Sequence, residues 1–389
     1  MACALLAIFA VQLSSDGVAA KSKPVTNPVE AVSLSKIPSA FPADSLLVRN
    51  QGTGQLPPSA APDVVGAFRF VCSAGHLGYD DPIVYPGKPG ASHLHQFFGN
   101  TATDAHSTYE SLRTTGESTC GNKLNRSAYW VPAMLNGKGK VIRPDYVTVY
   151  YKRLPASSPD CTKFGKACVE LPRGLRFVFG FNMFNPADKA TGTPHFNCDG
   201  KTGKPGHYPD LVAAAANCPP GNRIGMLIAA PHCWDGKRLD SPDHRAHMAH
   251  HSYGNWGYAR CPATHPFLVP TFTLGVWYTV DEDLDRSGQW SAGTKTWHLS
   301  SDAMPGEPPR RPGTTLHSDW FGAWDDDVMA AWTAHCINKM LNCSSANLGN
   351  GWKLKPVSAD VVRADPHAVD MPPPPAHHDD HGHHTAKPG

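Results

Sequence analysis

Histidines at short spacing are the residues of this sequence best suited to metal chemistry. The first group is Ser92-His93-Leu94-His95-Gln96, where one residue separates two histidines. Side chains of an extended segment alternate between its two faces, so His93 and His95 would point the same way. Two imidazoles on one face can bind the same metal ion, although surface histidines also show this spacing by chance. The spacing makes His93 and His95 candidate metal ligands.

A second group occupies residues 239–251 and contains Asp243, His244 and His247. If this segment forms a helical turn, residues four positions apart share a face, which brings Asp243 next to His247. A serine and a proline precede them, as is common where a helix begins. The alternative is a polar surface turn whose aspartates only cap the backbone. His244 and His247 are further candidate ligands, and Asp243 is a candidate ligand or catalytic base.

A third group is the segment Leu316–Trp324, in which His317 and Asp319 share a face if the segment is extended. A carboxylate can ligate a metal directly or orient a histidine that does so. Asp319 is therefore a candidate catalytic residue, and His317 is a candidate ligand. The aromatic residues of this segment, Trp320 among them, suit core packing, and the alternative is a platform for sugar rings.

Other catalytic patterns are missing from the sequence. It has no G-x-S-x-G, H-E-x-x-H, P-loop or G-x-G-x-x-G motif, and no C-x-x-C pair. A pair of carboxylates for glycoside hydrolysis has no fixed spacing, so Asp80, Asp81, Asp243 and Asp319 stay open as candidates for one. The formal net charge is only +2, so the composition does not favour nucleic acid or an anionic membrane as the partner.

The N-terminus has the pattern of an export signal. An apolar stretch from Ala2 to Leu13 precedes the small residues Val18-Ala19-Ala20, which predicts a signal peptide at residues 1–20. A buried N-terminal helix is the alternative. No later apolar run reaches the roughly 18 residues that cross a bilayer. We therefore expect a secreted, extracellular protein and not a transmembrane one.

The cysteine count agrees with export. Of 11 cysteines, Cys3 would leave with the signal peptide and ten would remain. An even number in an exported chain predicts up to five disulfides. Close spacing favours the pairs Cys161–Cys168 and Cys336–Cys343. Spacing does not assign the other six, which are Cys72, Cys120, Cys198, Cys218, Cys233 and Cys261.

The elements that must hold these groups are mostly strands. Charged residues make up only 17%, and there are 35 glycines and 37 prolines, a composition that favours short strands and many turns. We predict a mainly β (β-rich α+β) fold, an antiparallel sandwich or distorted barrel with long loops and few short helices. The predicted strands are Ala67–Cys72, Ala128–Leu135, Val147–Lys152, Leu175–Phe181, Gly225–Ala229, Phe267–Val280 and Thr296–Ser300, and the one convincing helix is Asp325–Asn338.

The chain is expected to contain one domain between two non-globular ends. Residues 21–60 are rich in proline, serine and alanine, as is typical of a linker. Residues 346–389 contain four consecutive prolines and a histidine-rich stretch, which predicts a disordered tail. That tail would bind transition metals weakly or would only be solvated. The globular domain is thus predicted at residues 61–345.

Several blocks of residues occur in the order of one known family. They are Asp81-Pro82-Ile83-Val84, Ser92-His93-Leu94-His95-Gln96, Ser118-Thr119-Cys120, Cys233-Trp234-Asp235-Gly236, Leu239-Asp240-Ser241-Pro242-Asp243-His244, Cys261-Pro262-Ala263-Thr264-His265-Pro266 and His317-Ser318-Asp319-Trp320. Together, over roughly residues 65–345, they resemble the DUF1996 family, with Ser318 where that family usually has glycine.

The resemblance implies a secreted single domain but supplies no reaction. Members of the family occur in fungi and bacteria, and in fungi they often stand beside carbohydrate-binding modules, which points to cell walls or polysaccharides. The residues that the family pattern includes are His93, His95, His244, His247, His265, His317 and Asp319. The histidines outside it are His232, His250 and His251.

Two functions are compatible with these residues. The first is a metal-dependent enzyme acting on extracellular or cell-wall polysaccharide, with zinc or copper as the cofactor and an open coordination position. The alternative is a non-catalytic module that binds glycans or a cell surface and uses its histidines for structure. Metal scavenging is a third reading that depends mainly on the tail. The candidates for contact with the substrate are Gln96, Trp234 and Trp320.

Overall fold

Two open β-sheets form the body of the protein. The computed structural model describes residues 27–50, 57–58, 65–162, 168–253, 259–356 and 367–374. The predicted signal peptide and the histidine-rich stretch of the tail lie outside these residues. The strands, in chain order, are β1 (Leu47–Arg49), β2 (Gly66–Cys72), β3 (Leu77–Gly78), β4 (His95–Gly99), β5 (Ala128–Pro132), β6 (Met134–Leu135), β7 (Lys140–Ile142), β8 (Tyr146–Arg153), β9 (Arg176–Gly180), β10 (His195–Asp199), β11 (Arg223–Ala229), β12 (Cys233–Trp234), β13 (Met248–Ala249), β14 (Ser252–Tyr253), β15 (Ala259–Arg260), β16 (Phe267–Leu268), β17 (Thr271–Thr279), β18 (His298–Leu299), β19 (His317–Phe321), β20 (Asn342–Cys343), β21 (Trp352–Leu354) and β22 (Ala368–Asp370).

Helices in the described part of the chain are short connections between strands. The α-helices are α1 (Pro28–Val32), α2 (Tyr109–Thr114), α3 (Pro159–Thr162), α4 (Leu211–Ala215) and α5 (Asp326–Trp332). Two 3-10 turns lie at Ala43–Leu46 and Ser300–Asp302, and a π-helical turn at Thr333–Ile337 continues α5. With 29% strand and 12% helix, the fold is mainly β, as the composition predicted.

The two large sheets pack face to face as a sandwich. One has the strand order β10-β11-β17-β8-β2-β20, and the other has the order β3-β4-β5-β19-β9. All their pairings are antiparallel except that of β2 with β20. Phe272 of the first sheet lies 5.4 Å from the ring of Tyr129 and 5.7 Å from that of Trp320, both in the second sheet. Neither sheet closes on itself within the described residues, so the sandwich prediction is confirmed over the barrel.

Two of the predicted strands are interrupted. The expected strand Phe267–Val280 divides into β16 and β17 at Val269 and Pro270, because proline has no N–H to donate to the ladder. The expected strand Ala128–Leu135 divides into β5 and β6 at Ala133, whose N–H donates instead to the carbonyl of Leu94 at 2.9 Å. The predicted helix begins as expected, because Asp325 caps α5 by accepting the backbone N–H groups of Asp327 and Val328.

Five disulfides hold the loops onto the sandwich. The two pairs that spacing favoured, Cys161–Cys168 and Cys336–Cys343, are both present. The remaining six cysteines pair as Cys72–Cys120, Cys198–Cys218 and Cys233–Cys261. Ten bonded cysteines fit a secreted domain. No helix among the described residues is long and apolar enough to cross a membrane.

Parts of residues 21–60 and 346–389 form strands that pair with other segments of the chain. In the N-terminal part, β1 pairs with β21, which places Leu47 opposite the buried Leu354. In the C-terminal part, β22 pairs with β7, with Val369 opposite Val141. β1 thus pairs with a strand of the predicted tail, and β22 pairs with a strand of the predicted domain, which composition averaged over forty residues conceals.

Candidate metal centre

Strand pairing brings two distant histidines to one level of the second sheet. Both β4 and β19 are antiparallel to β5 and lie on either side of it, so they run in the same direction. His95 lies opposite Pro132, and Asp319 lies opposite Trp130, two residues along. His317 therefore reaches the level of His95 across β5. His93, two residues before β4 on the same face, completes the group.

Three imidazoles converge at this edge. The ring centroids are 4.2 Å apart for His93 and His95, 5.1 Å for His93 and His317, and 6.3 Å for His95 and His317. One nitrogen from each ring lies within 4.8 Å of the other two, which is close enough for a single metal ion. The same limit of 4.8 Å joins His95 to carboxylate oxygens of Asp81 and Asp319.

Backbone carbonyls fix the tautomers of two rings. Nδ1 of His95 lies 3.0 Å from the carbonyl of Asp80, and Nδ1 of His317 lies 2.8 Å from that of Thr315. Only a protonated Nδ1 can donate to a carbonyl, so the lone pair of each ring is on Nε2. Metal-binding histidines commonly have this arrangement, in which the second nitrogen donates to an outer partner. Nε2 of His93 and of His95 is buried and has no hydrogen-bond partner among the described residues.

Burial keeps the imidazoles in the form that binds metals. It lowers the pKa of His95 to about 3, with a further contribution from His317. It lowers the pKa of His317 to about 4, and that of His93 well below its ordinary value. All three rings are therefore neutral at physiological pH, with lone pairs available.

Two buried carboxyl groups lie beside the imidazoles. Burial, together with the charge of Asp81, raises the pKa of Asp319 well above its ordinary value. Neither carboxylate oxygen of Asp319 has a hydrogen-bond partner in the described part of the chain. Asp81 accepts the backbone N–H groups of Ile83 and Val84 at 2.9 and 2.8 Å, yet burial still raises its pKa to about 6. A cation at this point would compensate both groups.

Arg245 provides a positive charge that faces Asp319. Its guanidinium donates to the carbonyls of Gly180 and Phe181 at 3.3 and 2.8 Å, which holds it in place. Its charge acts to lower the pKa of Asp319, but burial outweighs that effect. The sequence signal for Arg245 was weak, since it only follows His244 in a segment singled out for other residues.

The cluster opens onto a pocket of about 220 Å³. Its floor contains Asp81, His93, His317 and Asp319. The lining residues that the sequence did not suggest include Tyr85, Met183, Phe184, Arg245, Met304 and Glu307. Phe184 is 69% exposed, so an aromatic ring stands in solvent at this pocket. The arrangement is an accessible cavity with a set of unsatisfied donor atoms at its base.

Asp243 and His244 line the pocket but do not join the three imidazoles. Nδ1 of His244 lies 2.9 Å from a carboxylate oxygen of Asp240. Asp243 accepts the backbone N–H groups of Arg245 and Ala246 at 3.2 and 2.9 Å. The segment is thus the polar turn that was the alternative to a helix, and His244 has a left-handed φ of 56°.

The structure does not bring His247 to the cluster. Its ring is buried, with Nδ1 at 2.8 Å from the hydroxyl of Ser241 and Nε2 at 2.9 Å from the carbonyl of Arg176. Since both nitrogens have hydrogen-bond partners, this ring holds the turn against β9. His265 is similarly occupied, with Nε2 at 2.9 Å from the carbonyl of Ala246.

The three candidates for substrate contact are buried away from the pocket lining. The side-chain amide of Gln96 lies 3.1 Å from the carbonyls of Gly75, His76 and Phe97. Trp234 donates its ring N–H to the carbonyl of Arg238 at 2.6 Å. Trp320 packs between the sheets, 5.1 Å from the ring of Phe177. Each of these side chains stabilises the scaffold around the site.

Comparison with known proteins gives one match. The family model described as "Domain of unknown function (DUF1996)" matches residues 81–324, which is more than half of the chain. The matched span begins at Asp81 and contains every residue of the imidazole and carboxylate cluster. No curated protein and no solved structure matches the chain significantly.

Proposed function

The chain belongs to the DUF1996 family, and from the geometry of its site we propose that it is a secreted metal-dependent enzyme acting on extracellular or cell-wall polysaccharide. The observation that carries the proposal is the convergence of three neutral imidazoles and two buried carboxyl groups, of which Asp319 has no hydrogen-bond partner among the described residues, beside an open pocket. Structural histidines usually have partners for both nitrogens, as His247 does. Nε2 of His93 and of His95 instead has no hydrogen-bond partner among the described residues.

His93, His95 and His317 are the proposed ligands of a zinc or copper ion. Imidazole suits both metals, and three protein ligands leave a position open, as in catalytic zinc sites. A bound ion of this kind polarises oxygen atoms and lowers the pKa of water. Asp319 would act as the base for a water bound to such an ion, and Asp81, whose carboxylate lies within 4.8 Å of the same atoms, would add a second negative charge that balances the cation. The positive charges of the cation and of Arg245 would together favour the ionised form of Asp319.

The pocket limits what part of a substrate reaches the cluster. Its volume of about 220 Å³ is below the roughly 300–1,000 Å³ that is usual for drug-sized ligands. A single sugar unit or one chain end is a suitable size. Tyr85 and Phe184 offer aromatic faces for a sugar ring, and Glu307 offers a hydrogen-bond acceptor for hydroxyl groups.

One observation favours the alternative of a glycan-binding module. Phe184 is 69% exposed, and exposed aromatic rings at pockets are typical of carbohydrate-binding surfaces. In that case the metal, if bound, would only stabilise the fold. Both functions place a glycan at the same pocket, and they differ in whether the glycan is changed.

The test combines metal analysis with a product assay. The purified full-length chain, with the five histidines of its histidine-rich stretch (His377, His378, His381, His383, His384) replaced by serine, is loaded with zinc or copper and incubated with wall polysaccharides. Products are followed by mass spectrometry. We expect metal-dependent products that disappear in His95→Ala. Binding of polysaccharide without products would favour the module, and a chain that takes up no metal would reject the enzyme.

A further inference from the structure

The outer face of the first large sheet carries a row of aromatic side chains. Burial alternates along β8, so that Val147, Val149 and Tyr151 face the core while Tyr146 and Tyr150 face outward and are partly exposed. The pocket is built on the second sheet, and none of the residues that line it belongs to a strand of the first sheet. This aromatic row is therefore a surface separate from the candidate metal centre.

Trp277 of β17 lies against this outer face. Strand pairing places it between Gly225 of β11 and Tyr146 of β8. A Cβ atom at Gly225 would lie 2.7 Å from the six-membered ring of Trp277, and one at Gly275 would lie 3.0 Å from its Nε1. The two glycines thus leave the room in which the indole rests on the sheet, and its other side stays partly exposed.

The ring of Tyr146 extends the surface that Trp277 begins. The two ring centroids are 6.3 Å apart, and the ring planes are 25° from parallel. The charge at this end of the row is balanced. The guanidinium carbon of Arg223 lies 5.6 Å from the ring centroid of Tyr146, but Nε of the same side chain lies 3.3 Å from a carboxylate oxygen of Asp145. This end therefore offers nearly parallel aromatic rings beside a neutralised ion pair.

Tyr150 marks the other end of the row, where two cations lie beside its ring. It follows Tyr146 by four residues, which corresponds to about 14 Å along an extended strand. The guanidinium carbon of Arg69 lies 4.9 Å from the ring centroid of Tyr150, and Nζ of Lys152 lies 5.4 Å from it. Nε of Arg69 is buried and has no hydrogen-bond partner in the part of the chain that the structure describes. This end thus combines an aromatic ring with two positive charges.

We propose that this outer face binds an acidic polysaccharide, a chain whose sugar rings carry carboxylate groups. The apolar faces of sugar rings stack on aromatic rings such as those of Trp277 and Tyr146. A carboxylate of the same chain would pair with Arg69, whose guanidinium suits carboxylates, and with Lys152. Because the row extends over about 14 Å, it fits several consecutive sugar units better than one. Binding here needs no metal ion and does not depend on the proposed enzyme activity.

A single-stranded nucleic acid would use the same kinds of contact but fits this face less well. Proteins that bind single strands follow the phosphate backbone with positive charge along the whole groove. Here the two cations without a carboxylate between them, Arg69 and Lys152, lie at one end of the row, and the formal net charge of the chain is only +2. The charge distribution therefore favours a polysaccharide.

The test measures binding by isothermal titration calorimetry with polygalacturonate as the acidic probe. The full-length chain is used with EDTA present, which removes any contribution of a metal ion, and at about pH 8, where ordinary histidines are neutral. We expect polygalacturonate to bind and its affinity to fall as salt is added, because salt screens the ion pairs. Trp277→Ala should lower the affinity roughly tenfold through the loss of stacking. Arg69→Gln should lower the affinity and weaken its salt dependence.

Trp352→Ala is the matched control. Trp352 is also partly exposed and has the guanidinium carbon of Arg49 at 4.2 Å from its ring centroid, but it belongs to β21, outside this sheet. Its replacement should leave the affinity unchanged. Trp277→Tyr keeps an aromatic ring and should retain most of the affinity, which separates the loss of the ring from a loss of folding. Phe184→Ala, at the pocket, should also have no effect.

The proposal is overturned if polygalacturonate does not bind, or if Trp277→Ala and Trp352→Ala have the same effect. Loss of binding in Phe184→Ala with full binding in Trp277→Ala would equally reject it, because the polysaccharide would then occupy the pocket. Neutral cellohexaose or a thymidine oligonucleotide that binds as tightly as polygalacturonate would reject the acidic polysaccharide as the partner.

Discussion

His95 and Asp80 are joined by a hydrogen bond of 3.0 Å from Nδ1 of the ring to the backbone carbonyl. The next residue along the chain is Asp81, whose carboxylate lies within 4.8 Å of the ligand nitrogen of His95. One short stretch of backbone therefore orients an imidazole and supplies an acidic group to the same cluster. A comparable contact holds His317, whose Nδ1 lies 2.8 Å from the carbonyl of Thr315.

The first prediction concerns the ligands themselves. In the chain whose five histidines at 377–384 are replaced by serine, His317→Ala should lower the zinc affinity of the cluster of His93, His95 and His317. The loss should exceed the roughly 10–100-fold that follows when a ligand loses its outer hydrogen-bond partner. Competition with a chromophoric chelator measures this. The control is His298→Ala, because His298 has the same contact, Nδ1 to the carbonyl of Thr296 at 2.9 Å, without belonging to the cluster. Equal losses in the two variants would contradict the assignment of His317.

A second prediction concerns Asp302, which acts on His317 through Thr315. Its buried carboxylate accepts the hydroxyl and the backbone N–H of Thr315 at 2.7 and 3.2 Å, and the N–H of Gly313 at 2.7 Å. Asp302→Asn loses part of this set, so we expect the free energy of unfolding to fall by about 2 kcal/mol. Since Thr315 would no longer be fixed, zinc affinity should also fall roughly tenfold. Urea denaturation and chelator competition test the two effects, and lost stability with unchanged affinity would limit Asp302 to a structural role.

A third prediction concerns the pH dependence of metal binding by His93, His95 and His317. His95 and His317, with pKa values of about 3 and 4, carry no proton to release above pH 5. Asp81 has a pKa of about 6 because it is buried, so it must lose a proton when a cation binds below that pH. The release of the Asp81 proton should therefore contribute up to about a tenfold rise in affinity per pH unit between pH 5 and 6, and less above. Chelator competition across this range measures the slope.

The matching variant is Asp81→Asn, which has no proton to lose. This variant should remove the part of the pH dependence of metal affinity that release of the Asp81 proton contributes. Release of the proton of Asp319 should still contribute to that dependence. An unchanged slope in Asp81→Asn would show that Asp81 does not lose a proton when the metal binds.

Spacing in the sequence suggested His93, His95 and His317 as candidate ligands, together with His244 and His247, because the geometry within each segment is local. Residues two apart share a face of any strand, which holds for His93 with His95 and for His317 with Asp319. The spacing could not show that β4 and β19 flank the same strand, since that depends on pairing between distant parts of the chain. It also could not show that Asp81 faces the cluster, because a loop positions it.

Residues 239–251 show where periodicity misleads. Spacing of four suggested that Asp243 and His247 share a helical face, but Asp243 accepts hydrogen bonds from the backbone N–H groups of Arg245 and Ala246, which form a turn instead. Aspartate and serine offer the backbone this alternative, which competes with a helix. The result separates His244 at the pocket from His247 in the interior, although the two are only three residues apart.

The last prediction compares two disulfides that differ in the length of chain they enclose. Cys72–Cys120 has a sequence separation of 48, and Cys336–Cys343 has one of 7. A cross-link restricts the unfolded chain more when the loop is longer, by roughly 4 kcal/mol for the first bond and roughly 2.5 kcal/mol for the second. The double variants Cys72→Ala/Cys120→Ala and Cys336→Ala/Cys343→Ala should lose stability in that order when unfolded in urea. The reverse order would mean that packing around the buried sulfurs, rather than the entropy of the unfolded chain, determines what each bond contributes.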